Sequence, residues 1–573
     1  MAELSRREFI QQAGTTGLRA AGALGALGAL GALGSLGALT GCGDSSDSSS
    51  SQGSGAEQGG GAAANGTGAS VSGSDKETII ALDSGNEPAA GFDPLHNWGC
   101  AEHMHEPLIQ STLVNTTADM GFVNDLATGY ETSADGLTWT FTLRSDVKFS
   151  DGQPLTATDV AFTLNGIKAA EGSETDLSML DAATATDDVT VQIKLTRPYN
   201  ALLYTLAVIG IVPEHAYGPD YGENPIGSGR YILTQWDKGQ QVILEANPGY
   251  YGAKPQIERV VIVFMSEDAS LAAVRSGQVD VAQTSQVFSD QTLTGYSLFA
   301  AKTVDSRGIS LPTLPPGDKR IADGQAYPAG NAVTSDIAIR RALNYATDRQ
   351  LAASNALNGY ATAAYSVCGG MPWANAELDF ETDVEKARQL LDEAGWLPGA
   401  DGVRSKDGQR AELTLYYNAA DSARQALANE FANQVFAAGI EVNVKGESWD
   451  VIYGHMYTDP IVWGWGSNSP AELYNLYHSG GSSNFPCYDN PIIDGYLEAA
   501  LATSELEDSY PLWQQAQWDG TVGEGVQGAA TWVWLVNIDH LYFVRAGLAI
   551  AEQKLHPHGH GWALLNNVDQ WHW

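Results

Sequence analysis

Two short stretches of the chain concentrate side chains that ligate soft or borderline transition metals. His556-Pro557-His558-Gly559-His560-Gly561-Trp562 sets three imidazoles on alternate positions, and Asn97-Trp98-Gly99-Cys100-Ala101-Glu102-His103-Met104-His105 offers a thiol, a thioether and two imidazoles. Such donors suit nickel, copper or zinc. Neither stretch has a closed four-ligand spacing, so each alone reads first as loop packing, and together they matter only if the fold lets some of them meet. Given an open water position and a carboxylate base, His556, His558 or His560 would support a zinc hydrolase. Other catalytic signals are lacking. There is no P-loop, no Gly-x-Ser-x-Gly elbow, no His-Glu-x-x-His and no Gly-rich dinucleotide turn after a strand, so no catalytic residue is assigned.

Indole chemistry gives a second set of candidates. Twelve of the 15 Trp lie after residue 350, among them Trp463-Gly464-Trp465-Gly466 and Trp532-Val533-Trp534. An indole offers a broad apolar face and one N–H donor, which suits a pocket that grips an organic solute without reacting with it. For Trp532 and Trp534, inside an apolar run, ordinary core is the first reading. For the Gly-interleaved Trp463 and Trp465, core and pocket stand about even.

The elements that must position these residues follow from periodicity. Thr138 to Arg144 alternates apolar and polar residues like a half-buried strand, and Val260-Val261-Ile262-Val263-Phe264 is a continuous apolar run like a strand covered on both faces. Between Asp421 and Gly439, Ala423, Leu427, Phe431 and Val435 recur at four-residue spacing, and Asp383 to Gly395 repeats the pattern with Ala387, Leu390, Leu391 and Ala394. Both read as amphipathic helices capped by Asp and closed by Gly. Residues 305 to 334, rich in Pro and Gly, read as a connector. The body is thus mixed α and β, and large enough for two lobes.

The N-terminus reads differently. Ser5-Arg6-Arg7-Glu8-Phe9-Ile10 resembles a twin-arginine export signal, and Leu39-Thr40-Gly41-Cys42, after a Gly-Ala-Leu repeat, resembles a lipobox. Residues 1–41 are then an excised signal with Cys42 lipidated, and residues 42–77 are a Ser/Gly/Ala tether spanning roughly 30 Å. Four of the 30 basic and seven of the 68 acidic residues precede position 78, so the net charge of -38 belongs almost wholly to the body. An acidic body argues against nucleic acid as a partner and leaves the lipid as its link to the membrane. No later stretch is long and apolar enough to span a bilayer. In an exported chain one bridge is expected among Cys100, Cys368 and Cys487; Cys368 with Cys487 is one open pairing, which would leave Cys100 as a soft ligand or buried thiol.

From Asp135 to Asp151-Gly152 (DGLTWTFTLRSDVKFSDG), and on through Pro154 to Ala157 and Asp159-Val160, the chain resembles the signature of family-5 solute-binding proteins of ABC importers, the peptide and nickel class. Pro225-Ile226-Gly227-Ser228-Gly229, Asn247-Pro248-Gly249-Tyr250-Tyr251, Arg340 to Arg349 (RRALNYATDR) and Ala387 to Trp396 follow in the family's order. The resemblance implies a two-lobed α/β fold of the type II periplasmic-binding-protein kind. Lobe one comprises residues 78–120, 230–305 and 530–573, a subdomain at 121–229 is inserted into it, and lobe two is 306–529. It also implies permease and ATPase partners, a monomer, and a lipoprotein on the outer face of the cell membrane or in the periplasm. A surface sensor would use the same fold.

The same resemblance implies three cleft-lining stretches: the segment before Glu106 with Trp98, Cys100 and His103, the run Trp463 to Ser469, and the His-rich turn with Trp562. The expected ligand contacts are Trp98, His103, Trp463, Trp465, Asn468, His560 and Trp562. If the ligand is a metal chelate, His103, His478, His558 and His560 are the expected metal contacts. No cofactor is expected beyond nickel or another transition metal carried in with the ligand. Where peptide-binding members carry an Asp for the peptide's amino group, this chain has Gly466-Ser467-Asn468-Ser469-Pro470, and where nickel-chelate binders place an arginine, Ala207 to Val212 is apolar. The ligand is a short peptide or a nickel-type chelate, with the histidines leaning towards the chelate.

Overall fold

The computed structural model describes residues 77–573 apart from 101–103, 171, 174, 323 and 560. The signal, Cys42, the tether, His103 and His560 therefore lie outside the described residues, save Glu77 at the tether's end. Two sheets form the centres of two lobes. The first has seven strands in the order Tyr296–Ala301, His540–Arg545, Val281–Thr284, Glu77–Asp83, Arg259–Met265, Gln241–Ala246, Tyr231–Asp237. Glu77–Asp83 runs parallel to both of its neighbours, and the other pairings are antiparallel. The apolar run at 260–264 is covered on both sides, as a central strand requires. Val260, Ile262 and Phe264 pack with Phe92, Trp98 and Trp562, while Val263 on the other face joins Ala81, Leu271 and Phe543. Each such side chain fully withdrawn from water contributes about 1.5–3 kcal/mol.

The second sheet has six strands in the order Ala361–Ala363, Trp532–Ile538, Ser306–Ser310, Ile461–Trp465, Glu412–Asn418, Glu441–Glu447. The helix Ser422–Phe436 covers it. Asp421 caps the helix by accepting from the Arg424 amide at 2.8 Å, and its stripe of Ala423, Leu427, Phe431 and Val435 is buried. Val384–Glu393 is capped likewise by Asp383, through the Lys386 amide at 2.8 Å. A separate four-stranded antiparallel sheet, Ala127–Thr132, Thr138–Leu143, Thr190–Leu195 and Leu180–Asp187, buries Trp139, Phe141 and Leu143 on one face, as their alternation requires.

Three sequence expectations are corrected. The stretch 305–334 is not merely a connector, since Ser306–Ser310 is a strand inside the second sheet and Asp318–Ala322 pairs with Gln325–Ala329. Its small, polar residues hid it, and one of them is required: a Cβ on Gly308 would lie 2.4 Å from the Trp534 ring. The stretch from 530, assigned to lobe one, divides between lobes, with Trp532–Ile538 in the second sheet and His540–Arg545 in the first. Lastly, Cys368 and Cys487 form no bridge. Cys100, Cys368 and Cys487 are all buried, each with its own separate partner. Cys100 meets Thr175 Oγ1 at 2.8 Å, Cys368 donates to Gln517 Oε1 at 3.5 Å, and Cys487 donates to the Phe485 carbonyl at 3.5 Å. Burial pushes the Cys368 and Cys487 thiols up to about 12, which keeps them protonated and inert.

The chain crosses between the two sheets at residues 302–305 and again at Asp539. The crossings are bonded to one another: the Ile538 amide donates to the Asp305 carbonyl at 2.9 Å, and Lys302 Nζ lies 2.8 Å from Asp539 Oδ2. The His-rich turn joins them, with the Val304 amide donating to the His556 carbonyl at 2.9 Å and the His556 amide to the Lys302 carbonyl at 3.0 Å.

Candidate binding cleft

Beside these crossings lies a cavity of about 480 Å³, its open mouth included. Its wall includes Met104 to Glu106; Tyr204, Ala207 and Val208; Ser467 to Ser469; and Lys554, Leu555 and Pro557, with Thr116 and Asn566 completing it. Residues from all three stretches singled out in the sequence thus meet at one cavity. So does the start of the apolar turn at Ala207.

The Ser467 to Ser469 turn is shaped by what precedes it. Gly466 has φ +144°, and a Cβ there would stand 1.9 Å from the Val304 carbonyl oxygen, so this turn packs directly on a crossing segment. Its amide donates to Glu472 Oε1 at 2.9 Å and its carbonyl accepts from the His558 amide at 2.6 Å. Desolvation pushes the Glu472 carboxyl up to about 8, against the pull of the Gly466 and Ser467 amides, so this side of the cavity lacks a strong fixed charge. The Ser469 amide donates to Ser467 Oγ at 3.0 Å, closing the turn. Asn468 Oδ1 is buried without a hydrogen-bond partner among the described residues, and Asn468 lines the cavity.

The opposite wall is ionic. Glu106, 8% exposed, is ion-paired with Lys554, and Arg230 Nη2 stands 3.9 Å behind its other oxygen. Arg230 is itself held by Asp569 at 3.0 Å and by the Asn566 carbonyl at 2.6 Å. Sequence reading passed over this pair because its partners are 448 residues apart and neither sits in a periodic pattern.

The predicted ring contacts fall elsewhere. Trp98 and Trp562 are buried behind the wall with centroids 4.9 Å apart, both packed on His105, and Trp562 donates to the Asn86 carbonyl at 2.6 Å. Trp463 is buried against Phe485 at 4.5 Å and donates to Ser310 Oγ at 2.9 Å. These three stiffen the walls and do not line the cavity. Trp465 is half-buried, 6.4 Å from His558, also outside the cavity lining. Among the described residues, Asn468 is the predicted contact that lines it.

The histidines of the C-terminal turn are likewise redirected. Asp305, on the first crossing and with no exposed side-chain surface, has Oδ2 2.8 Å from His540 Nε2 and Oδ1 2.7 Å from His558 Nδ1, and it is ion-paired with Arg307. His540 Nδ1 lies 3.2 Å from His556 Nδ1, and His556 Nε2 lies 3.0 Å from Gln553 Oε1. Burial would raise the Asp305 carboxyl, but Arg307, His558 and His540 outweigh it and hold it well below the usual carboxylate range. Burial and the neighbouring His540 hold His556 well below the usual imidazole value, and burial lowers His558 against the pull of Asp305. Arg307 on the same carboxylate would repel a metal ion there, and His558 Nδ1 is engaged with Asp305 at the first crossing. His478 is stacked on Tyr474 at 4.2 Å, accepts from the Gly480 amide at 2.9 Å and has Glu498 3.3 Å away, so it too is outside the cavity lining. Among the described residues no group of three or more His, Cys, Asp or Glu side chains is placed to hold a metal ion.

Comparison with known proteins accords with this architecture. The model of bacterial extracellular solute-binding proteins, family 5 (Middle), matches residues 121–486. Protein XP55 of Streptomyces lividans is 36% identical over 427 residues, covering 71% of this chain and 74% of XP55. The oligopeptide-binding protein AppA of Bacillus subtilis (strain 168) is 27% identical over 469 residues, covering 76% and 83%. Among solved structures, NikZ from Campylobacter jejuni in complex with Ni(L-His) superimposes with a TM-score of 0.73 at 24% identity, over 87% of this chain and 100% of NikZ, and so shares its two-lobed fold. The chain belongs to the bacterial extracellular solute-binding proteins, family 5.

Proposed function

We propose that this protein is the lipid-anchored solute-binding component of an ABC importer, which captures a short peptide or a nickel-type metal chelate between its lobes and hands it to a permease. The observation that carries this is the cavity beside the bonded crossing segments, walled by Ser467 to Ser469 of one lobe and by Glu106 and Lys554 of the other. A hinge at 302–305 and Asp539 lets one lobe rotate against the other, so closure replaces water on both faces of a solute, and a permease can discriminate the closed form. Family membership supports the binding role. The oligopeptide-binding name of AppA and the nickel–histidine complex of NikZ supply the two ligand classes. The chain acts as a binder without catalysis, since His556 and His558, the described histidines of the hydrolase alternative, are spent on the hinge. Export through the twin-arginine-like signal and lipidation at Cys42 would place it outside the cell membrane.

Titration calorimetry and thermal melting of the whole body test the reading. Heat and a raised melting temperature with di- to pentapeptides, or with nickel plus free histidine, are expected from one class. If neither class gives either signal, the solute reading fails. If only peptides do, the chelate reading fails.

A further inference from the structure

The cavity wall holds one basic side chain, Lys554, and one acidic side chain, Glu106, side by side on the same lobe. Lys554 is 27% exposed and its ammonium has three donors, of which Glu106 takes one; among the described residues it has no other ionic partner. Glu106 already faces two cations, since Arg230 stands 3.9 Å behind it, so it gains little from a third. The opposite face offers Ser467, Asn468 and Ser469, which are neutral. In a chain with 68 acidic and 30 basic residues, Lys554 is the lining side chain whose charge suits an anionic group entering the cavity.

We propose that Lys554 anchors a carboxylate of the bound solute, with Glu106 positioning the ammonium at the wall. This deepens, and rests on, the reading of the cavity as the solute cleft. The carboxylate can be a peptide's C-terminus or that of an amino acid chelating nickel, and the chemistry at Lys554 is the same. A ligand carboxylate would accept from the two remaining ammonium donors while Asn468 and the serines close over the neutral part.

The test compares acids with their amides on the whole protein. A peptide is titrated against its C-terminal amide, and nickel plus histidine against nickel plus histidinamide. In the wild type the acid of whichever series binds should be preferred by on the order of 10-fold or more, the worth of a charge-assisted hydrogen bond. Lys554→Gln should abolish that preference by weakening the acid alone. Lys554→Arg should restore most of it, so a loss of folding cannot mimic the result, and Glu106→Gln should reduce it by freeing the ammonium from the wall. A preference that survives in Lys554→Gln overturns the anchor and leaves the solute reading standing. A wild type that binds no acid of either series overturns both together.

Discussion

The hinge and the cleft are both buried polar clusters, adjacent in the fold, yet they are built oppositely. At the hinge, Asp305 is met by His540, His558 and Arg307, and His540 by His556, so the carboxylate's charge is answered within the protein, with Arg307 Nε the one buried atom of this cluster left without a hydrogen-bond partner among the described residues. In the cleft, among the described residues, Lys554 has one ionic partner for three donors and Asn468 Oδ1 has no hydrogen-bond partner. A satisfied buried network fixes geometry, whereas an unsatisfied one costs free energy until something binds. The residue types alone pointed the other way, because the histidines looked like the ligands.

The largest break in this contrast is Asp305→Asn. It keeps the shape but leaves Arg307 buried without its counter-charge, which costs roughly 3–5 kcal/mol for a broken buried pair. Urea denaturation should show that loss. A change under about 1 kcal/mol would mean that the hinge is not a closed charge network.

Gly466→Ala comes next, because Gly466 joins the two clusters. Its φ of +144° and the 1.9 Å approach of a Cβ to the Val304 carbonyl force the turn to move, at a cost of roughly 1–3 kcal/mol. Both the melting temperature and the affinity for whichever solute binds should fall. A loss of stability with unchanged affinity would separate the Ser467 to Ser469 turn from the cleft.

Acid titration separates hinge from cleft more finely. His556 in the folded chain is held well below its unfolded value near 6.5. The unfolded chain therefore binds the proton first, and stability is full above pH 6.5 and falls as pH drops from there towards the folded value. The slope is limited to about 1.4 kcal/mol per pH unit for one group. His556→Gln should flatten that part of the pH–stability curve, read by denaturation between pH 7 and 4.5. An unchanged slope would mean that His556 is not the group charging.

What the sequence disclosed depended on how local each signal was. Ser422–Phe436 was legible because Asp421, the four-residue stripe and Gly439 lie within one segment, and Thr138–Leu143 because alternation declares a half-buried strand. Ser306–Ser310 was not, since a central strand built of Ser, Arg and Gly to fit beneath Trp534 has no apolar period. At the site, the stretches around Met104, Ser467 and Pro557 could be named from motif order. Their chemistry could not, because the Glu106–Lys554 pair and the Asp305 cluster join residues hundreds of positions apart. Trp98, Trp463 and Trp562 were attractive as contacts because indoles serve cores and pockets equally well, and only packing decides between the two.

The smallest expected effect sharpens the contrast from outside both clusters. His478 is an imidazole with metal-binding chemistry, yet its ring lies on Tyr474, one nitrogen accepts from the Gly480 amide, and the other faces Glu498 and, at 3.9 Å, Asp494. Two carboxylates beside a histidine could attract a stray divalent ion, but none of these residues lines the cavity. His478→Ala should therefore shift stability by less than about 1 kcal/mol, as for a partly exposed side chain with weak ion pairs. Calorimetry with nickel plus histidine should give the same affinity as the wild type. A loss of nickel–histidine binding with peptide binding intact would move the metal site out of the cleft, and cavity position would then no longer identify the ligand contacts.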